Sequence, residues 1–298
     1  MEWTGSIQRA IQALEQHLLE EEAAGMAARA AALSPFYLER GFKMMTGFSI
    51  GEYVRFRRLY LAALDVLSGE EKIIDLAFRY GYETPESFTK AFSRFHGLSP
   101  LQLKKEPRKI RVFLPLKIEI AIRGGNEMDF TVEKMPAFQV IGFKREFVFE
   151  TAYQQIPEFW DEMEEKYARP MLAGKAADTA IDRVFRENHI GEFGVCVDDE
   201  GMNGRFSYLI AGKWQGGEVT EGMTVYQFPE MLWAKFPCIG PMPGALQSVN
   251  TKIFQQWLPN NSDYEIALGA NIEWYSPEGS PQDADYQSAI WVPVRKKE

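Results

Sequence analysis

Residues 74–100 read IDLAFRYGYETPESFTKAFSRFHGLSP, and this stretch carries its own punctuation. Ile73, Ile74, Ala77 and Tyr80 recur at helical spacing over 73–80, and the connection Gly81-Tyr82-Glu83 is a tight glycine turn. Thr84 then stands where an N-cap belongs, because a hydroxyl oxygen satisfies a backbone N–H that has no partner in the first helical turn. Pro85 follows at the first helical position, where its missing N–H costs nothing. Phe88 and Phe92 give one apolar stripe, and Gly97 stops the helix. The predicted element is helix, short turn, capped helix.

The same grammar stands fifty residues earlier. Segment 34–49, SPFYLERGFKMMTGFS, aligns with 84–99, TPESFTKAFSRFHGLS, through Ser34/Thr84, Pro35/Pro85, Leu38/Phe88, Arg40/Lys90, Phe42/Phe92, Gly47/Gly97 and Ser49/Ser99. A long periodic helix over 49–67 joins the copies, and an opening helix is predicted near 7–21. Two helix-turn-helix units on one chain can address two successive major grooves, about 34–36 Å apart, without a dimer.

A second repeat, at an offset of 93, relates TVEKMPAFQVIGF (131–143) to TVYQFPEMLWAKF (224–236). Alternating apolar residues around a proline predict strand, break, strand. A helical stretch with a tryptophan follows each copy, at 151–168 and 244–258. Further strands then follow, at 192–199 with 205–214 and at 263–275 with 288–294. The expected fold class is two domains: an all-α double helix-turn-helix, then a duplicated α+β antiparallel-sheet module. The expected boundaries are 1–108 and 128–298, with 109–127 a linker or connecting strand.

Composition sets further bounds. The net charge of −9 lies wholly in residues 109–298; residues 1–108 carry 14 basic and 14 acidic side chains. Such a chain is no general polyanion binder, so DNA contact requires basic groups gathered on one face. Two cysteines and three histidines, scattered along the chain, are too few for a metal cluster, and neither metal nor cofactor is expected. No apolar run reaches membrane-spanning length and no secretion signal is read, so the expected setting is a reducing cytoplasm with no membrane partner. There is no nucleotide-binding glycine loop, no G-x-S-x-G and no H-E-x-x-H, so no catalytic residue is assigned. Cys196, in FGVCV, reads as a buried structural thiol.

The motifs at 34–49 and 74–100 closely resemble the AraC/XylS family DNA-binding domain, over about residues 6–106. FSYLIAG (206–212), LWAKF (232–236), IEWYSPEG (272–279) and IWVPV (290–294) resemble the GyrI-like effector-binding domain, in a Rob-type order. The resemblance implies a transcription regulator acting on a double-stranded DNA operator. It also implies a small hydrophobic or cationic effector, RNA polymerase as a partner, and a monomer or homodimer. It places Phe36, Glu39 and Arg40 on bases in the first groove and Glu86, Thr89 and Lys90 in the second. Lys43 shares the solvent side of the first reading helix, and Arg55, Arg57, Arg58 and Arg94 are phosphate candidates. Arg40 and Lys90 suit guanine O6 and N7. One departure is Ala32, which stands at a turn where the family usually has glycine.

For the effector, six of the seven tryptophans fall in 128–298. Aromatic walls around a buried carboxylate suit an organic cation. Glu273, in the apolar strand ANIEWY, matches the family's pocket glutamate; Tyr208, Trp233, Trp257, Trp274 and Trp291 are the expected wall. The alternative function is a GyrI-like small-molecule hydrolase fused to a DNA-binding domain, with Glu273 as general base.

Overall fold

The computed structural model describes residues 3–106, 109–118, 128–149, 151–174, 179–198 and 205–297, apart from the side chains of Tyr153 and Leu172. Seven helices come first: α1 (Trp3–Gln16), α2 (Ala23–Ala31), α3 (Pro35–Thr46), α4 (Ile50–Ser68), α5 (Ile73–Arg79), α6 (Pro85–His96) and α7 (Pro100–Lys105). By its contacts the chain divides into two units. Unit 1 is Met1–Trp3, Ser34–Met45 and Ile122–Glu298; unit 2 is Thr4–Leu33 and Thr46–Ala121. This division differs from the expected boundaries in one respect: Ser34–Met45, most of α3, is grouped with the C-terminal residues.

Unit 2 is helical, and its local signals act as the sequence predicts. Thr84 Oγ1 accepts from Ser87 N at 3.1 Å. Ser49 with Glu52, and Ser99 with Gln102, form reciprocal capping boxes. Gly81 (φ 81°) and Gly97 (φ 79°) take the left-handed conformation that ends each helix. Ala32 takes it as well, at φ 52°, which costs on the order of 1 kcal/mol for a residue with a Cβ. Leu59, Val66, Leu76, Phe88, Phe92 and Leu103 form the core. Phe113 packs on Phe48, Phe56 and Tyr53, so the described part of the expected linker is ordered against unit 2. The rest of that linker, 119–127, lies outside the described residues.

The described residues of unit 1 form one antiparallel sheet of nine strands, with helices beside it: β1 (Thr131–Met135), β2 (Phe138–Val148), β3 (Phe193–Val197), β4 (Arg205–Lys213), β5 (Met223–Phe228), β6 (Met231–Ile239), β7 (Tyr264–Ile266), β8 (Ala270–Tyr275) and β9 (Gln287–Lys296). The order is β1-β6-β9-β8-β3-β4-β2-β5, with β7 on β9. This order is the duplication seen in the sequence. Strand pair β2·β4 answers β6·β9, β3·β4 answers β8·β9, and β2·β5 answers β6·β1. The halves meet at β3·β8, where Val195 faces Ile272. Each half contributes one long helix: α8 (Ala152–Met163), then a shorter α9 (Arg169–Leu172) and α10 (Ala180–Glu187), and in the second half α11 (Gly244–Lys252), continued by a π turn over Ile253–Trp257. The expected strand 263–275 is two strands, β7 and β8. Among the described residues no helix is long and apolar enough to cross a membrane.

Candidate functional site

The two helices expected to read DNA, α3 and α6, differ in what they present. On α6, Glu86, Lys90 and Arg94 are exposed and Thr89 is half-buried, so this helix offers its charged edge as the sequence predicts. Arg55, on α4, is exposed too. On α3 the expectation of a solvent-facing edge is corrected. Phe36 and Tyr37 are 1% exposed and Glu39 8%, while Arg40 and Lys43 are half-buried. Helical spacing puts 36, 39, 40 and 43 on one edge, but it cannot say whether water or protein covers that edge.

Two phosphate candidates are also corrected. Arg57 is 5% exposed, and its Nε and Nη2 donate to the two oxygens of Glu15, each at 2.7 Å. Arg58 donates to the backbone oxygens of Leu18 and Glu20. Both guanidinium groups are occupied within unit 2.

A cavity in unit 1 gathers several of the predicted residues. It has a volume of about 520 Å³ and sits between α8 and α11, over β3, β4 and β8. Strand alternation decides which side chains reach it: Glu273 and Tyr275 line it, while Ile272 and Trp274 join the core on the other face of the sheet. The Trp160 indole N–H donates to the Tyr208 oxygen at 2.9 Å. The Tyr208 hydroxyl donates to Glu273 Oε2 at 3.0 Å, and the Tyr275 hydroxyl donates to the same oxygen at 2.9 Å. Burial first, then the Glu273 charge, push both tyrosine hydroxyls well above their ordinary range, so they remain protonated donors. One carboxylate oxygen is thereby held in place by two hydroxyl donors.

Gly194 makes this possible. A Cβ there would stand 2.1 Å from the Tyr208 hydroxyl oxygen and 3.0 Å from Glu273 Oε2. The bare strand position lets a tyrosine from β4 and a glutamate from β8 meet across β3.

Arg40 lies on the other side of the carboxylate. Its Nη2 lies 3.7 Å from Glu273 Oε1 and donates to Asn250 Oδ1 at 2.8 Å. Its Nη1 donates to Asn271 Oδ1 at 3.1 Å. Phe36, Glu39 and Lys43 line the same cavity. Cys196 lines it as a buried thiol, pushed up to about 12 by burial and then by Glu273.

The expected wall is only partly the observed one. Glu273 and Tyr208 line the cavity; Trp233, Trp257, Trp274 and Trp291 do not. Trp233 is fully buried against Phe138 and Phe228, Trp291 packs on Phe193 and Trp233, and the Trp274 indole donates to Glu192. Trp257 stacks edge-on against Phe236 and Phe130. Trp160, Tyr275, Gly194 and Asn250 were not singled out as site residues. Tyr275 was recoverable, since it shares Glu273's side by strand period. A glycine inside FGVCV was a signal of close approach. Nothing local marked Asn250.

The integron-associated effector binding protein family matches residues 131–294, more than half of the chain, and a helix-turn-helix domain family matches residues 27–106. The regulatory protein SoxS of Salmonella typhimurium is 33% identical over 94 residues, which are 32% of this chain and 88% of SoxS. The right origin-binding protein of Escherichia coli K12 is 32% identical over 107 residues, 36% of this chain and 37% of that protein, so the match spans little over a third of that relative's length. An integron cassette protein from Vibrio cholerae has a similar solved structure, with 15% identity, a TM-score of 0.40, and coverage of 56% of this chain and 95% of that one. The chain thus belongs to the AraC-type helix-turn-helix DNA-binding regulators and, through residues 131–294, to the integron-associated effector-binding family.

Proposed function

We propose that this regulator senses an organic cation in the unit 1 cavity and reads an operator with the exposed edge of α6. The observation that supports the first half is the held carboxylate. Glu273 has one oxygen fixed by Tyr208 and Tyr275, and aromatic and apolar side chains surround it. A cation with an aryl body gains charge pairing there and face contact with Trp160, whose ring is of the type that binds cations best. The setting that follows is cytoplasmic, with operator DNA and RNA polymerase as partners, in a monomer or homodimer.

The test uses benzyltriethylammonium, a permanent cation with an aryl group, followed by tryptophan fluorescence. Glu273→Gln should weaken its binding about 30-fold, equivalent to about 2 kcal/mol for removing one member of a desolvated charge pair. Equal binding by the variant would refute the carboxylate's role. The sensor reading is preferred to the hydrolase one because Glu273 is committed to two hydroxyl donors and Cys196 is a protonated thiol. Recovery of the bound cation unchanged, by mass spectrometry after long incubation with susceptible ester analogues alongside, agrees with sensing; turnover overturns it.

For the DNA half, Lys90→Ala should cost about 10- to 100-fold in affinity for an operator selected from random duplexes, since a good base contact contributes about 1–3 kcal/mol of discrimination. Circular dichroism should not change, because Lys90 is exposed. A gel shift with wild-type affinity would rule out α6 as the reader.

A further inference from the structure

The cavity holds a cation of the chain's own. Arg40 reaches Glu273 Oε1 at 3.7 Å and is anchored by Asn250 and Asn271. Its guanidinium carbon lies 5.8 Å from the Phe36 ring centre and 6.0 Å from that of Phe254, which is the aromatic setting an organic cation would use. The seat is shaped for α3 along its length. Phe36 N donates to Asp198 Oδ2 at 3.1 Å, so a carboxylate just past β3 satisfies a backbone donor in the helix's first turn. The Tyr37 hydroxyl donates to Ala270 O at 2.7 Å, and Gln255 donates to Met44 O at 2.7 Å. Gly41 fits because it lacks a side chain: a Cβ would stand 2.3 Å from Trp3 Cζ2 and 3.3 Å from Phe254 Cδ1. Glycine inside a helix is unfavourable by itself, so its use here goes with close approach.

We propose that Arg40 is a built-in occupant of the effector site: the Phe36–Arg40 edge of α3 is held in the cavity, and an external organic cation that takes Arg40's place at Glu273 releases that edge to read DNA. This inference rests on the cation-sensing reading above and adds the regulation of that site. One guanidinium cannot pair with Glu273 and with a guanine edge at once. The closed and DNA-reading forms are therefore two states, and a ligand that binds only where Arg40 has withdrawn shifts the balance towards the second. The effector's apparent affinity is reduced by the fraction of molecules in which Arg40 still holds the site.

The experiment compares the full-length wild-type chain with Arg40→Gln, using benzyltriethylammonium as probe. Removing the internal competitor should tighten probe binding by about tenfold or more, whereas an arginine that merely shapes the cavity would leave it unchanged or weaker. In the wild type, amide hydrogen exchange across residues 34–45 should speed up when the probe is added. Asn250→Ala, which removes Arg40's 2.8 Å acceptor and keeps the arginine, should shift affinity in the same direction by less, and it serves if Arg40→Gln misfolds. Equal or weaker binding by both variants, or slower exchange over 34–45 with the probe bound, overturns the exchange while leaving the cation site standing. Absence of binding by every form, the variants included, instead removes the sensing reading itself.

Discussion

Gly194→Ala is expected to weaken probe binding in the unit 1 cavity about 100-fold, a larger effect than that of Glu273→Gln. The added methyl carbon would lie 2.1 Å from the Tyr208 hydroxyl oxygen and 2.9 Å from Cζ. Displacing Tyr208 breaks contacts: it is 1% exposed, its ring meets Phe147 edge-on, and its oxygen also accepts from Trp160. Overpacking of this kind costs about 1–3 kcal/mol. Driving the hydroxyl off Glu273 adds about 1–3 kcal/mol for a buried polar group left unpaired. The carboxylate loses its fixed position as well, so the affinity loss should reach about 100-fold, at 1.4 kcal/mol per factor of ten. Calorimetry should show the lower melting temperature and titration the lost binding. Gly244→Ala is the matched control, because a Cβ there meets nothing within 4 Å. Wild-type binding by the Gly194 variant would mean that the Tyr208–Glu273 pair does not make the site.

The second large effect falls on unit 2. Arg57→Met should destabilise the helical unit by about 3–5 kcal/mol, the usual cost of removing one partner from a buried ion pair. The Arg57 and Glu15 side chains are 6% and 22% exposed. Arg57 also donates to Phe113 O at 2.6 Å, and Tyr53 shares Glu15 Oε1. The substitution thus leaves a carboxylate with one donor and releases the segment that carries Phe113. Urea unfolding followed by circular dichroism measures it, and adding Glu15→Met should recover part of the loss. If Arg57 were instead a phosphate contact, stability would move by only about 0.5 kcal/mol. The slope of log affinity against log salt would then fall by about one. That pair of results would reverse the assignment.

Much of unit 2 was legible because its signals are local. Thr84, Pro85 and Gly97 act within a few residues of themselves, so they behave in the fold as they read in the chain. The duplication of unit 1 was legible for a related reason: two copies of a strand-proline-strand pattern must pair in equivalent ways, and β2·β4 and β6·β9 do. Glu273 was legible through its charge in an apolar strand. The four tryptophans Trp233, Trp257, Trp274 and Trp291 were misleading for the opposite reason. A large aromatic fills a core or a cavity equally well, and residue type does not record which face of the sheet is closed. Arg57 shows the same limit for charge, since a basic residue on a long helix looks alike whether it meets a phosphate or Glu15.

What the amino-acid order determined alone is the two repeats, their capped helices and paired strands, and hence the kind of protein this is. Only the tertiary structure decided where the Phe36–Arg40 edge lies and which side chains surround Glu273. A helix cap depends on atoms a few bonds away, whereas the burial of an arginine depends on a carboxylate brought to it from far along the chain.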